Sequence, residues 1–191
     1  MNTDPLTFLC QDQLIANLPQ SYTDPFPIIP QTILALTAPV ELSSLPSNPA
    51  LNWYMQYVNV FDADIHAAAK QPTRFYSSTA INYSADGNMV KGATAIWADY
   101  LFLWGSFAKL TRELRTIIFV SDEEKGTHVV HTEAVTICHL KGGNGTVAVP
   151  TSFVYTLAKA EEGAGEGGLQ IWEIRSYLDL ATLEKAKSMQ E

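Results

Sequence analysis

The chain has 191 residues, of which 47% are hydrophobic and 17% charged, enough for one cored domain plus an appendage and too apolar for a disordered chain. Its formal net charge is −8, and its 12 Lys and Arg residues cluster nowhere beyond the loose group Lys109, Arg112 and Arg115; this excludes nucleic acid and anionic membrane surfaces, which need a concentrated positive footprint. No apolar run approaches the ~20 residues of a membrane-spanning helix, and the opening MNTDPLTFLCQDQL carries an early acid and no basic cluster, so a cytoplasmic location is expected.

Residues 1–47 are rich in Pro, Ser and Thr and lack a sustained period; each proline removes a donor and fixes its own backbone angle, which reads as an extended arm. Its apolar residues Phe26, Ile28, Ile29, Ile33 and Leu34 are expected to pack on the domain that fills 48–191. Asn48 can cap a helix with Pro49 at its first position, and Leu51, Tyr54, Met55, Val58, Phe61, Ile65 and Ala69 follow at spacings of three and four, an amphipathic helix. Thr79 to Ser84 reads as a strand, ADGN as a turn and Met89 to Lys91 as the returning strand; Gly92 then stops the hairpin and ATAIWADYLFLW forms a second helix. Four long segments rich in Val, Ile, Thr and aromatics follow, Leu110 to Ser121, Thr127 to Leu140, Thr146 to Lys159 and Leu169 to Leu178, joined by DEEKG, KGGNG and EEGAGEGG. Connectors of that kind join antiparallel neighbours, so the expected architecture is α+β, a curved antiparallel sheet wrapped around helices. A short helix over Leu180 to Gln190 closes the chain.

Three stretches, WYMQYVNVFDADIHAA, AINYSADGNMVKGATAIWADYL and IWEIRSYLDLATLEK, in this order and spacing, resemble the nuclear-transport-factor-two-like (SnoaL-like) superfamily over about Asn48 to Lys187. Scytalone dehydratase and the polyketide cyclases are the nearest members in pattern. The resemblance implies a cone-shaped fold with a deep pocket between sheet and helices, a small-molecule substrate, no cofactor, and association into a homodimer through the outer face of the sheet. The family also holds binding proteins without chemistry, so fold does not decide function.

Several residues carry candidate chemistry. Asp62 falls near the middle of the apolar stripe of the first helix, and a carboxylate there must be paired, hydrated or protonated: it either faces a pocket as acid or base, or bonds a neighbouring loop. Ile81 and Tyr83 alternate with Asn82, which puts Tyr83 on the core side with a hydroxyl in need of a partner. By resemblance, INY matches a dehydratase strand whose tyrosine polarises the substrate carbonyl, and Asp62 matches that family's helical aspartate. Phe61 replaces a tyrosine of the dehydratase, and Glu113 stands roughly where it carries a histidine. Glu113 and Arg115 form either an exposed pair or an orienting pair in the cavity. His128 and His131 lie three apart on a strand, on opposite faces, so they cannot share a metal ion. His131 shares a face with Glu133, either as a proton-transfer pair or as surface ladder partners. The small residues Thr132, Ala134, Thr136 and Cys138, with Ala148, Ser152 and Thr156 on the next strand, are expected to leave room for a ligand. TEAVT resembles a strand of limonene epoxide hydrolase, but Ala134 and Thr136 replace its catalytic arginine and aspartate, which disfavours epoxide hydrolysis. The candidate catalytic set is therefore Tyr83, Asp62, Glu113 and His131. The candidate substrate-contacting set is Tyr54, Tyr57, Trp97, Tyr100, Arg115, Thr136, Phe153, Tyr155 and Trp172. No metal site is read; Cys10 and Cys138 read as isolated thiols rather than a disulfide frame.

Overall fold

The computed structural model describes residues 31–37 and 48–189. The first helix, α1 (Pro49–Ala63), starts where the sequence predicts: the Asn48 side chain accepts from the amides of Ala50 and Leu51, and Pro49 occupies the first turn. Leu51, Trp53, Tyr54, Tyr57, Val58 and Phe61 form its buried face. The helix does not run on to Ala69. At Asp64 the backbone turns extended and the side chain accepts from the Ala67 amide, capping the separate short helix α2 (Ile65–Ala68); an aspartate offers the backbone this local alternative to helix.

Strand β2 (Tyr76–Tyr83) is longer than predicted and turns back into β3 (Met89–Lys91), after which α3 (Ala93–Trp104) covers the predicted segment in full. Gly92 at the junction has φ of 90°, and a Cβ there would lie 3.1 Å from the Ser78 carbonyl oxygen, so both backbone angle and space select glycine. The long strands are β4 (Lys109–Asp122), β5 (Thr127–His139), β6 (Thr146–Lys159) and β7 (Leu169–Leu178), followed by α4 (Leu180–Ser188), capped by Asp179. With β1 (Gln31–Thr37) they form one unclosed seven-stranded sheet, ordered β1-β4-β5-β6-β7-β2-β3. All neighbours are antiparallel except β2 and β7. Register shifts between Leu114 and Thr116 and between Thr156 and Leu157 add residues to one strand of a pair and bend it, which curls the sheet around α1 and α3. The α+β fold with a curved sheet is as the sequence predicts.

Strand β1 falls inside the segment expected to be an extended arm on the domain. It pairs with β4 from Gln31 opposite Asp122 to Thr37 opposite Thr116, burying Leu34 and Leu36, while Ile33, expected to pack, is 50% exposed. Phe26, Ile28 and Ile29 lie outside the described residues. Among the described residues, no helix is long and apolar enough to cross a membrane.

Candidate functional site

The sheet's alternation decides which candidates face the interior. On β4 the inner face carries Leu110, Arg112 and, beyond the bulge, Ile117 and Phe119; Arg112 thus enters a core in which its side chain is 9% exposed. From α1 comes Asp62, with Nη2 of Arg112 3.2 Å from its Oδ1. The guanidinium lies 4.8 Å from the Phe61 ring centroid and 6.0 Å from that of Phe153, so aromatic faces supply part of what water would.

Around this pair are the buried rings of Tyr54 and Tyr57 from α1, Tyr76 from β2, Trp97 and Tyr100 from α3, and Tyr155 from β6. They touch in series: Tyr54 to Tyr155 at 5.2 Å, Tyr57 to Tyr76 at 5.8 Å, Tyr76 to Trp97 at 5.3 Å and Phe61 to Tyr100 at 5.6 Å between centroids. Tyr57 and Tyr76 hydrogen-bond through their hydroxyls, and Tyr54 bonds Thr132 Oγ1 at 3.3 Å. Three buried atoms make no well-aligned hydrogen bond among the described residues: Asp62 Oδ1, which has only the ion-pair contact with Arg112, Arg112 Nε, and Tyr100 Oη, which has Ser176 and Tyr76 close by. Native interiors rarely leave such atoms unmatched, and here they come from the acid, the cation and one phenol of a single cluster.

Burial sets the protonation. It raises the Asp62 pKa, against the opposing pull of Arg112. For Arg112 burial pushes down, but Asp62 and then the surrounding tyrosines outweigh it, so the guanidinium stays charged. Burial also raises the tyrosines, Tyr100 to about 12, with Ser176 and Arg112 opposing, so the phenols remain protonated donors. The arrangement can therefore hold a proton on Asp62, or take one, beside a fixed positive charge and the Tyr100 phenol.

Of the residues singled out in the sequence, Asp62, Tyr54, Tyr57, Trp97, Tyr100, Phe153 and Tyr155 do come together. Tyr83 does not, and its placement is corrected: Asn82 is the fully buried residue of that pair, while Tyr83 is 38% exposed with the Arg175 guanidinium 5.1 Å from its ring centroid. The neighbouring strand fixes this phase, since Asn82 lies opposite buried Ile174 and Tyr83 opposite Arg175. Asn82 tolerates burial because its Oδ1 accepts from Ser176 at 2.9 Å and its amide donates to Ser84 at 3.4 Å.

Glu113 and Arg115 pair with each other at 2.8 Å, 60% and 54% exposed, outside the cone; the simpler of the two readings holds. His131 is also outside, bonded to Ser152 at 3.0 Å. Trp172 is half-buried with its Nε1 donating to the Lys159 carbonyl. Thr136 faces inward but is bonded to Thr151 at 3.1 Å. The expected shared hollow of small residues is also corrected. Thr132, Ala134, Thr136 and Cys138 face in, but Thr132 pairs with Phe153 and Ala134 with Thr151. That register turns Ala148, Ser152 and Thr156 to the other face.

Two further clusters lie elsewhere in the fold. Ser121 Oγ donates to Glu123 at 2.6 Å, so His128 Nδ1, 2.8 Å away, is the donor to that serine; a serine held this way is not activated as a nucleophile. At the rim, Asn82, Ser84, Asp86, Asp99, Phe102 and Ser176 help line a hollow of ≈ 70 Å³, where burial and then Asp86 raise the Asp99 pKa. Among the described residues no three His, Cys, Asp or Glu side chains converge on a possible metal position.

Sequence reasoning missed Arg112 and Tyr76. The signal for Arg112 was present, since it alternates with Leu110 and Leu114 on one face of β4, but Arg115 and Glu113 on the same strand hid it.

No family model and no curated protein matches the sequence. Solved structures share the fold at low sequence identity. The CaMKII hub of S. rosetta aligns with TM-score 0.53 at 12% identity over 71% of this chain and 100% of its own. Aln2 from a Streptomyces species gives 0.53 at 14% identity over 74% and 99%. The hexachlorocyclohexane dehydrochlorinase LinA-type3 from Novosphingobium barchaimii gives 0.50 at 7% over 68% and 86%.

Proposed function

We propose that this chain binds a hydrophobic, oxygenated small molecule of the polyketide or terpenoid type within the cone. There it moves a proton on that molecule without a cofactor, as a lyase, isomerase or cyclase. The observation that carries this reading is the buried Asp62–Arg112 pair, in which Asp62 Oδ1 and Arg112 Nε make no well-aligned hydrogen bond, gathered with the Tyr100 phenol inside an aromatic wall. In the proposed role Asp62 takes and returns the proton, and Tyr100 donates a hydrogen bond to the substrate oxygen. Trp97, Tyr57 and Tyr155 hold the hydrocarbon part. Tyr83, Glu113 and His131 have no part in it, because they face away from this interior. That a dehydrochlorinase shares the fold supports proton chemistry as one of its uses.

The test is proton exchange on an enolisable aromatic ketone. 2-Tetralone in deuterated buffer should gain deuterium beside its carbonyl faster with the protein than without it. Asp62→Asn should lower that acceleration by about 10²–10⁴-fold. Equal rates for the wild type and Asp62→Asn would remove Asp62 from the reaction.

A second reading, a dimeric scaffold or binding protein of the same fold, is favoured by the outer face of the sheet. Ile33, Val120 and Val129 form one row across β1, β4 and β5, with Ile33 50% and Val129 36% exposed. The CaMKII hub of S. rosetta shares the fold. Sedimentation of the wild type against Val129→Lys tests the dimer: loss of association in the variant supports this face, and a monomeric wild type excludes it.

A further inference from the structure

The interior holds two charges of unequal character. Arg112 cannot give up its proton, whereas Asp62 can become neutral by taking one. Their contact is a charge contact at 3.2 Å in which Asp62 Oδ1 makes no aligned hydrogen bond, and Arg112 Nε has no partner among the described residues. The guanidinium carbon lies over the Phe61 and Phe153 rings, and Nε on its N–H edge is left for a further partner. Tyr100 Oη, buried beside Ser176 and Tyr76 without a well-aligned bond to either, is a further donor. The titratable groups facing the pair are Tyr54 and Tyr57 from α1, Tyr76 from β2, Tyr100 from α3 and Tyr155 from β6. All are held as neutral phenols by burial.

An anion added to such a site would leave it with one uncompensated negative charge, which a low-dielectric interior opposes strongly. Neutrality is kept if Asp62 becomes protonated as the anion arrives. We propose that the Asp62–Arg112 pair is exchangeable: a planar enol or phenol passes its O–H proton to Asp62 and takes that carboxylate's place as counter-ion of Arg112. The ligand O–H bond breaks, an O–H bond forms on Asp62, the negative charge moves from the aspartate to the ligand oxygen, and total charge and electron count are unchanged. The inference rests on the interior being a small-molecule site, as proposed above, and narrows the ligand to conjugated molecules with an acidic hydroxyl. Ethers and simple alcohols, which cannot supply the anion, are excluded as tight ligands.

The experiment uses 4-nitrophenol and its methyl ether, 4-nitroanisole, with the full chain. Bound phenolate and bound phenol differ in absorbance, and calorimetry in buffers of different ionisation heat counts protons taken up. Above the phenol's own pKa, the wild type should bind phenolate with uptake of about one proton. Asp62→Asn should bind phenolate at least as tightly with no uptake, because Arg112 then lacks any other counter-ion. Arg112→Gln should lose the phenolate spectrum. 4-Nitroanisole should bind the wild type at least tenfold more weakly than 4-nitrophenol. Phenolate binding to the wild type with no proton uptake, or wild-type binding of 4-nitrophenol only as the neutral phenol, overturns the exchange. 4-Nitroanisole binding as tightly as 4-nitrophenol overturns the exchange and leaves the small-molecule reading standing. Binding of neither probe, by dialysis, removes both. The wild-type measurements decide the matter even if a variant fails to fold.

Discussion

The same functional group is pushed in opposite directions in two parts of this molecule. Inside, Asp62 is raised because burial outweighs the attraction of Arg112. At the end of the sheet, the glycine-rich connector 160–168 between β6 and β7 carries two carboxylates that are lowered. Glu161 accepts from Ser77 Oγ at 2.7 Å and from the amide and hydroxyl of Ser78 at 3.0 and 2.9 Å. Glu166 accepts from Arg74 at 2.8 Å and Gln56 at 2.9 Å, and in both cases those hydrogen bonds are the cause. The connector carboxylates are matched to their donors and tie the loop to β2, to the turn before it and to α1. The inner carboxylate is under-matched, which is why the proposed function places the proton transfer on it.

The most damaging substitution undoes the inner half of this contrast. Asp62→Ala leaves a buried guanidinium that cannot shed its charge and should cost about 3–5 kcal/mol of stability. Arg112→Met should cost less, because the remaining Asp62 can be protonated. The double variant should be more stable than Asp62→Ala alone. Urea denaturation midpoints of the three proteins check the order; equal losses for both single variants would mean that Asp62 is not free to neutralise itself.

Next comes the hydroxyl network of the aromatic wall. Tyr76→Phe leaves the Tyr57 hydroxyl without its partner and should cost about 1–3 kcal/mol, read from the same denaturation curves. A neutral result would mean that another buried group takes up that hydroxyl.

Acidification separates the two regions further, since they respond with opposite signs. The unfolded chain holds Glu161 and Glu166 at about their ordinary value of 4.5. Their contribution to the fold is present above that pH and is lost as pH falls through the lower folded values. For Asp62 the folded chain keeps its proton to a higher pH than the unfolded one, starting from an ordinary 3.8, so its ionisation weakens the fold as pH rises through the raised value. Amide hydrogen exchange should therefore show residues 160–168 opening first as pH drops below 4.5, with Glu161→Gln removing part of that dependence. Protection that falls equally across the sheet and the connector would show that these carboxylates do not act locally.

Much of the fold was legible because local chemistry and burial agree. α3 begins after a glycine that the backbone demands, β6 and β7 match their predicted bounds, and the Asn48 cap sits where the sequence places it. Strand β1 was hidden because QTILALT is a short apolar run among prolines, with no alternation to mark a strand, and its partner is more than 70 positions away at β4. The site was half legible. A carboxylate in an apolar stripe announced Asp62, but Arg112 required knowing which face of β4 points inward. That was settled by a bulge after Leu114 and by the partners across the sheet.

The mildest substitution concerns Tyr83, and it separates pattern from phase. An apolar residue alternating with an aromatic one invited the inference that Ile81 and Tyr83 face the core. Strand phase, however, follows from what lies opposite. Asn82 is inside because Ser176 and Ser84 satisfy its amide, and Tyr83 is outside because Arg175 covers its ring. Tyr83→Phe keeps that ring and removes only a hydroxyl in contact with water, so stability should stay within about 0.5 kcal/mol of the wild type. Tetralone exchange should be unchanged. Tyr100→Phe, which removes a buried hydroxyl facing the ion pair, should instead slow that exchange. If the two variants traded behaviours, β2 would have to be turned over, and Asn82 would lie in solvent where its two hydrogen bonds could not form.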